Sequence, residues 1–327
     1  MLISVVIPCY RSAETLPSVV EEIQGAFAAR PEHDYQIVLV NDGSPDNTYE
    51  VISELCEKDR KIVGVNLSRN YGQACARMAA LPFVEGECVV SMDDDGQHPA
   101  EGIFPLAEKI QEGYDVVYAR FAHKKHSLFK RCTSRMFGWC MEAVGLRAKG
   151  IVTSSFFAWS RFAVEKLKDY HSPTPSAGAY LMKISTRVAN VDMLHRERLA
   201  GESNNTLARM INLAITSLTN FTVVPLRVAS ILGMVLAGVG LLSGMIIVIR
   251  KMLNPGIAMG YTSIMAVILL LGGIILIVQG LLGEYVGRVY MMLSDMPQYT
   301  IRETKNVKLS ANKEKLDDIS TSRLCKF

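Results

Sequence analysis

The stretch Val89–Pro99 reads VVSMDDDGQHP and holds the side chains of this protein best suited to chemistry. Three adjacent carboxylates, Asp93, Asp94 and Asp95, follow the apolar run Cys88-Val89-Val90-Ser91-Met92. That run reads as a buried strand, and Gly96 lets the chain turn sharply after the acids. In open α/β sheets, ligands bind beyond the carboxyl ends of the strands. Three acids crowded on one turn repel one another and call for a counter-charge. A hard divalent cation, magnesium or manganese, is the natural one, held by one or two carboxylates and by substrate phosphate oxygens. The competing reading is a solvated acidic turn.

The elements that must position these acids are legible around them. Ile3–Ile7 is an apolar strand ended by Pro8, and a helix follows to about Ala29 with Leu16, Val19, Val20, Ile23 and Phe27 on one face. Tyr35–Val40 is a second strand, ending in Asn41-Asp42-Gly43-Ser44, and Thr48–Lys58 is helical. Ile62–Leu67 is a third strand, followed by Ser68-Arg69-Asn70-Tyr71-Gly72 and a helix over Gln73–Phe83. The strand before the acids is the fourth. Gly102–Glu112 is helical, and Tyr114–Tyr118 is a fifth strand leading to Arg120. Strands alternating with helices predict a mostly parallel α/β sheet covered on both faces. Polar clusters recur at the strands' C-terminal ends, so they line one edge.

The chain has 327 residues, a length suited to about two domains. It is 49% apolar with a formal charge of +3, which excludes a disordered chain and argues against a nucleic-acid partner. Seven cysteines show no CxxC pair or metal-ligand spacing and read as reduced thiols facing the cytoplasm. The start, MLISVVIPCY, lacks the basic region of a signal peptide and reads as a first strand. No GxGxxG follows that strand and no Walker lysine loop is present, which disfavours dinucleotide enzymes and P-loop ATPases. A nucleotide can still sit over this edge, with Asp42 accepting hydrogen bonds from base or ribose.

The segments IPCYRSAETL, VLVNDGSPDNT, LSRNYGQ and MDDDGQHPAE, in this order and spacing, resemble the family 2 glycosyltransferases with a GT-A (Rossmann-like) fold. Within these the chain is similar to the polyprenyl-phosphate glycosyltransferases, relatives of dolichol-phosphate mannose synthase. Their bacterial branch uses undecaprenyl phosphate and carries two C-terminal membrane helices. The resemblance implies that Pro8 and Tyr10 lie beside the nucleotide and Asp42 on the uracil or ribose, with Asn70 and Asp94 further candidates for donor contact. It makes Asp93 and Asp95 the ends of a DxD motif, with Asp95 and Gln97, joined by Asp93, as ligands of Mg or Mn. Asn41 stands where the family usually has an acid. Asn70 has an alternative reading as a helix cap, and Pro8 one as a strand end.

The segment from His123 to Leu146 mixes bases with apolar residues and reads as an anion-binding or membrane-surface helix, or as a solvated face. The resemblance places the lipid phosphate on Arg120, Lys130 and Ser134, with Arg131 as a substitute. Lysine at 130 keeps the charge but not the bidentate fork of arginine. Relatives carry an aspartate, often considered a catalytic base, where this chain has Ile151 or Val152. His195 to Ser203 matches the family's HxxRxxGxS loop, which implies that His195 and Arg198 reach the donor diphosphate.

Beyond residue 205 the composition changes. Thr206–Phe221 is amphipathic and reads as an interfacial helix ended by Pro225. Val228–Ile249 is uncharged and long enough for about 30 Å of hydrocarbon, and a second uncharged stretch, from about Thr262 to Gly283, spans back. Arg288, Arg302, Lys305, Lys308, Lys313 and Lys315 follow, against Arg250 and Lys251 in the connection, so both termini are expected in the cytoplasm of a bacterial inner membrane. The expected division is a GT-A domain over 1–205, an interfacial helix over 206–225, a two-helix membrane domain over 226–290 and a tail over 291–327. The tail is polar from about Glu303 and is expected to be mobile.

These readings converge on inverting transfer of one sugar from a nucleotide sugar, UDP- or GDP-linked, to undecaprenyl phosphate. Membrane lipids and a second copy of the chain are further expected partners. A processive polysaccharide synthase is the alternative enzyme, but the chain lacks a QxxRW motif and further spans. A non-catalytic nucleotide-sugar sensor is the alternative from another class, although the chain keeps Asp93, Asp95 and Gln97.

Overall fold

A computed structural model describes residues 1–121, 148–193, 224–253, 260–294 and 297–307. They fall into two units, one holding 1–121, 148–193 and 297–307, the other holding 224–253 and 260–294.

The first unit is built on a mixed sheet. Its strands are β1 (Leu2–Cys9), β2 (Asp34–Asn41), β3 (Ile62–Leu67), β4 (Cys88–Ser91), β5 (Val116–Phe121), β6 (Phe157–Ser160), β7 (Val188–Met193) and β8 (Ile301–Lys305). Their spatial order is β7-β5-β6-β4-β1-β2-β3-β8. The pairs β1/β2, β1/β4, β2/β3 and β5/β7 are parallel, while β6 runs antiparallel to both β4 and β5, and β8 to β3. Two reversals across β6 leave β5 parallel to β4. The C-terminal ends of β1 to β5 and of β7 therefore share one edge.

Among the described residues this unit has six α-helices: α1 (Leu16–Ala28), α2 (Thr48–Lys58), α3 (Gln73–Ala80), α4 (Ile103–Gln111), α5 (Arg161–Lys168) and α6 (Ala177–Ile184). Strand alternation divides the core. Ile3, Val5, Ile7, Ile37 and Leu39 pack with Leu16, Val20 and Ile23 of α1 and Phe104 of α4. Val6, Val38 and Val40 pack on the other face with Ala76 and Met78 of α3 and Val164 and Leu167 of α5. Both faces are covered, which is why these strands are apolar throughout rather than alternating. Pro17 opens α1, and the Ser160 hydroxyl caps α5 by accepting from the Ala163 N–H at 3.2 Å.

Two features depart from the sequence reading. The fifth strand runs over Val116–Phe121, later than expected, and β6 separates it from β4. Of the tail, expected to be mobile from Glu303, the described part up to Val307 instead pairs with the sheet edge: Gly64, Val65 and Asn66 pair with Lys305, Thr304 and Glu303, and residues 308–327 lie outside the described residues. The Ser68 N–H donates to the Thr300 carbonyl at 2.9 Å, and the Asn306 amide donates to the carbonyls of Cys56, Asp59 and Ile62. The segment 301–305 thus belongs to the first unit, not to a separate tail. Its polar sequence becomes a strand because β3 otherwise presents an unpaired edge.

The second unit consists of α7 (Val224–Leu253) and α8 (Tyr261–Leu293). Each is long and apolar enough to cross a bilayer, over Leu226–Ile246 and Leu271–Leu293. Ile231, Met234, Leu242, Leu276 and Ile277 are more than half exposed, a surface suited to lipid and not to water. The expected interfacial helix lies outside the described residues except for Val224 and Pro225, which open α7.

Candidate active site

The three acids after β4 are sorted to three different neighbours. Asp93 faces α3, where Gln73 and Arg77 stand one turn apart and both donate to its Oδ1, Arg77 from 3.2 Å. The Arg77 side chain is only 15% exposed, its Nε–H donates to Ser91 Oγ at 2.9 Å, and its guanidinium lies 5.4 Å from the centre of the Phe157 ring. Burial draws the Arg77 pKa down, and the Asp93 charge opposes that shift.

On the other side, the Asp93 N–H donates to His98 Nδ1 at 3.0 Å. The imidazole is stacked against Phe156 at 4.8 Å and Phe121 at 5.9 Å. With Nδ1 accepting, a neutral ring carries its proton on Nε2, which lies 3.9 Å from Asp93 Oδ2 and 3.4 Å from Ser155 Oγ.

Asp94 turns to the β1–α1 loop. Its Oδ2 accepts from the Ser12 hydroxyl and from the Tyr10 N–H at 3.1 Å, and its carbonyl accepts from Thr15 Oγ1 at 2.8 Å. Burial pushes its carboxyl up, with the Ser12 and Tyr10 hydrogen bonds opposing. Asp95 Oδ1 accepts from the Gln97 N–H at 3.1 Å, across Gly96 with its φ of 71°.

The neighbouring loops are tied to one another by the same means. Asp42 is buried, and its two oxygens accept the N–H groups of Tyr71 at 2.7 Å and Gly72 at 2.8 Å. Burial raises its carboxyl above the ordinary range, opposed by those two bonds. Asn70 Oδ1 also accepts the Gly72 N–H, at 3.1 Å, so its observed bond is the loop-capping one. Gly43 has φ +61°, and a Cβ there would lie 2.4 Å from the Arg69 carbonyl carbon. The β2 and β3 loops touch backbone to backbone, which only glycine permits. Pro8 is buried within β1, whereas the Tyr10 ring is 44% exposed beside the Arg11 guanidinium. Asn41 turns into the sheet and donates to Asn66 Oδ1 at 2.8 Å, and Asn66 donates to Glu303 Oε1 at 3.1 Å.

Farther along the same edge, Arg120 pairs with Asp192, its partner in register on β7. The segment at Ile151 and Val152 is pinned by Asn190. That amide accepts the Val152 N–H at 2.8 Å and donates to the Val152 carbonyl at 2.7 Å and the Tyr118 carbonyl at 3.1 Å.

The structure therefore gathers Pro8, Tyr10, Asp42, Asn70, Asp93, Asp94, Asp95, Gln97 and Arg120 along one sheet edge. Lys130, Arg131, Ser134, His195 and Arg198 lie outside the described residues. Sequence reasoning passed over Ser12, Gln73, Arg77 and Asp192. Only Gln73 and Arg77 carried a signal, their four-residue spacing on a helix that opens after the Arg69–Gly72 turn.

Among the described residues, no group of three or more His, Cys, Asp or Glu is placed to hold a metal ion unaided. Asp93 and Asp94 are drawn toward α3 and the β1–α1 loop, and Asp95 sits on the turn with Gln97. This donor set fits a magnesium or manganese ion shared with phosphate oxygens, rather than a cage made by protein alone.

Residues 4–178 match the model for glycosyl transferase family 2, and residues 224–289 match the GtrB C-terminal hairpin. The chain is 32% identical over 318 residues to an undecaprenyl-phosphate 4-deoxy-4-formamido-L-arabinose transferase of Yersinia enterocolitica, covering 96% of this chain and 97% of that one. It is 30% identical over 305 residues to the uncharacterised glycosyltransferase YkcC of Bacillus subtilis, covering 93% and 94%. Among solved structures, glucosyl-3-phosphoglycerate synthase from Mycobacterium tuberculosis in complex with phosphoglyceric acid aligns with a TM-score of 0.50 and 18% identity, over 67% of this chain and 78% of that one, a likeness of fold alone. With its edge of loops and acids on a GT-A sheet and a GtrB-type hairpin of apolar helices, the chain belongs to glycosyl transferase family 2 and is a glycosyltransferase.

Proposed function

We propose that this membrane enzyme transfers one sugar from a nucleotide sugar to undecaprenyl phosphate, inverting the anomeric centre. The observation that carries the reading is the end-to-end similarity, over catalytic unit and hairpin alike, to a relative named for an undecaprenyl-phosphate acceptor. A lipid phosphate lies at the bilayer surface, and an enzyme anchored by two apolar helices meets it there without extracting the chain.

The donor sits over the β1 to β4 edge. Tyr10 and Pro8 lie beside the base, while Asp42 and Asn70 shape the Tyr71–Gly72 loop around it. Asp94 fixes the Tyr10 loop to the acidic turn. Asp95 and Gln97, with Asp93, are the residues that would hold magnesium or manganese, which supplies charge neutralisation to a leaving diphosphate. His195 and Arg198 complete the diphosphate side. Arg120, Lys130 and Ser134 position the acceptor phosphate, which attacks the anomeric carbon directly. A single displacement inverts that centre, so an α-linked donor gives a β-linked product.

Connectivity supports an even number of crossings: the chain belongs to the first unit before Val224 and again at Ile301. The basic residues after α8 favour the cytoplasm for both ends.

The test is to incubate the purified enzyme with undecaprenyl phosphate, Mg or Mn, and labelled UDP- and GDP-sugars. The expected product is lipid-extractable and carries one sugar. Asp95→Ala and chelator should each abolish it. A polymer, or no transfer from any donor, would overturn the reading.

A further inference from the structure

Strands β5 and β7 set Arg120 directly opposite Asp192. The Arg120 Nε–H donates to Asp192 Oδ1, and Nη2–H donates to Oδ2 at 2.7 Å. Two parallel N–H donors on two oxygens is also how an arginine grips a phosphate. The side chains are 45% and 72% exposed, so water reaches both and the pair opens at little cost. The backbone beneath them does not move as easily. Two residues before Asp192, Asn190 ties β7 to Tyr118 of β5 and to Val152. Asp192 is thus held within reach of Arg120 whether or not the fork is filled.

We propose that Asp192 is a positioning residue of the acceptor subsite that occupies the Arg120 fork until a phosphate monoester displaces it and reclaims the fork from the diester product. The inference rests on the reading that Arg120 binds the acceptor phosphate.

The discrimination is by charge. A phosphate monoester has its second pKa near about 6, so the acceptor is largely dianionic at neutral pH. Transfer converts it to a diester with one ionisable oxygen and a single negative charge. The Asp192 carboxylate is a monoanion with the same two-oxygen bite. It competes with the product at equal charge and with the substrate at a disadvantage of one charge. A tightly buried competitor would exclude the substrate too, and an exposed one does not. Each partner holds the other charged: the Asp192 carboxyl lies below its ordinary value because of Arg120, and Arg120 lies above its own.

The test uses the full-length enzyme in detergent, a short-chain polyprenyl phosphate as acceptor and the matching sugar phosphodiester as product inhibitor. Asp192→Asn should lower the KM for lipid phosphate by about two- to fivefold, the scale of an exposed ion pair. It should lower the product inhibition constant by the same factor, because one occupant is displaced by either ligand, and leave the KM for nucleotide sugar unchanged. In the Arg120→Ala background the same substitution should have no further effect, because Asp192 acts through Arg120. Arg120→Ala alone tests the underlying reading and should raise the lipid KM. If Arg120→Ala raises it but Asp192→Asn moves neither lipid constant, the competitor role is wrong and the acceptor subsite stands. If Arg120→Ala leaves lipid dependence untouched, both fall. Loss of kcat in Asp192→Asn at unchanged lipid KM would make Asp192 a participant in the chemistry and overturn the proposal.

Discussion

Arg77 on α3 and Asp93 at the end of β4 form an ion pair 3.2 Å apart, with Asp93 also held by Gln73 and His98. The repulsion among three adjacent acids is therefore partly answered inside the protein. A largely buried pair that loses one member leaves an uncompensated charge. Arg77→Met should cost about 3 kcal/mol, the low end for such pairs because water still reaches Asp93. Arg77→Lys keeps the charge but loses the Nε–H bond to Ser91 and the guanidinium contact with Phe157, and should fall between. Unfolding midpoints of the detergent-solubilised enzyme check the order. A methionine variant as stable as the native protein would show the pair to be dispensable.

Asp42 gives a pH-dependent prediction. Its two oxygens accept the Tyr71 and Gly72 N–H groups, so Asp42→Asn would turn an amide donor toward a backbone donor. The cost should be about 1–3 kcal/mol at neutral pH, with a raised KM for the nucleotide sugar. Because burial raises the native carboxyl pKa, the folded chain takes up this proton at a pH where the unfolded chain has released it. The group's contribution to stability therefore grows as pH falls through the raised value and is complete below the ordinary 3.8. Asparagine cannot make this gain. The gap in unfolding midpoint between native and variant should widen from neutral pH toward about pH 4. A gap that stays constant or narrows would contradict the assignment.

The regular half of the fold was legible because its signals are local. Apolar runs ending in polar turns gave β1 to β4, and the α1 face showed at Leu16, Val19, Val20 and Ile23. Strand β6 is four residues long, and its place between β4 and β5 depends on partners distant in sequence. Strands β7 and β8 mix polar and apolar residues, so pairing decides them rather than pattern. The site divides in the same way. Asp42 and Asp93 to Asp95 sit on turns whose position follows from the strand before them. The helical spacing of Gln73 and Arg77 was in the sequence, but only the meeting of α3 with β4 gives the buried arginine its partner. Asp192 was hidden because its partner lies 72 residues away.

The return of the chain to the sheet predicts different outcomes for two truncations. A chain ending at Val307 keeps β8 and the Asn306 bonds to the end of α2 and the start of β3. A chain ending at Thr300 loses both and leaves β3 as an open edge, a template for aggregation. The second should unfold earlier than the first and aggregate in detergent. Thermal scans with light scattering distinguish them. Equal behaviour would mean that β8 contributes nothing to the catalytic unit.

The segment at Ile151 and Val152 offers no carboxylate, and its backbone is held by the Asn190 amide. Asp192, two residues beyond Asn190 on β7, has its carboxylate in the Arg120 fork. No general base is therefore supplied at this segment. A phosphate monoester needs none, because it is already a dianion above about pH 6 and brings its own nucleophilic oxygen. What the protein must add is orientation and partial charge balance. The acid limb of the pH–rate profile should then belong to the acceptor and not to the enzyme. With lipid phosphate it should fall away below about pH 6. With a lipid phosphonate, whose second ionisation is higher, the limb should move up by the same interval as the acceptor's pKa. Asp192→Asn should leave the limb in place while changing the lipid constants. A limb that stays fixed when the acceptor is exchanged, or one that vanishes in a carboxylate variant, would show that an enzyme base accepts the proton.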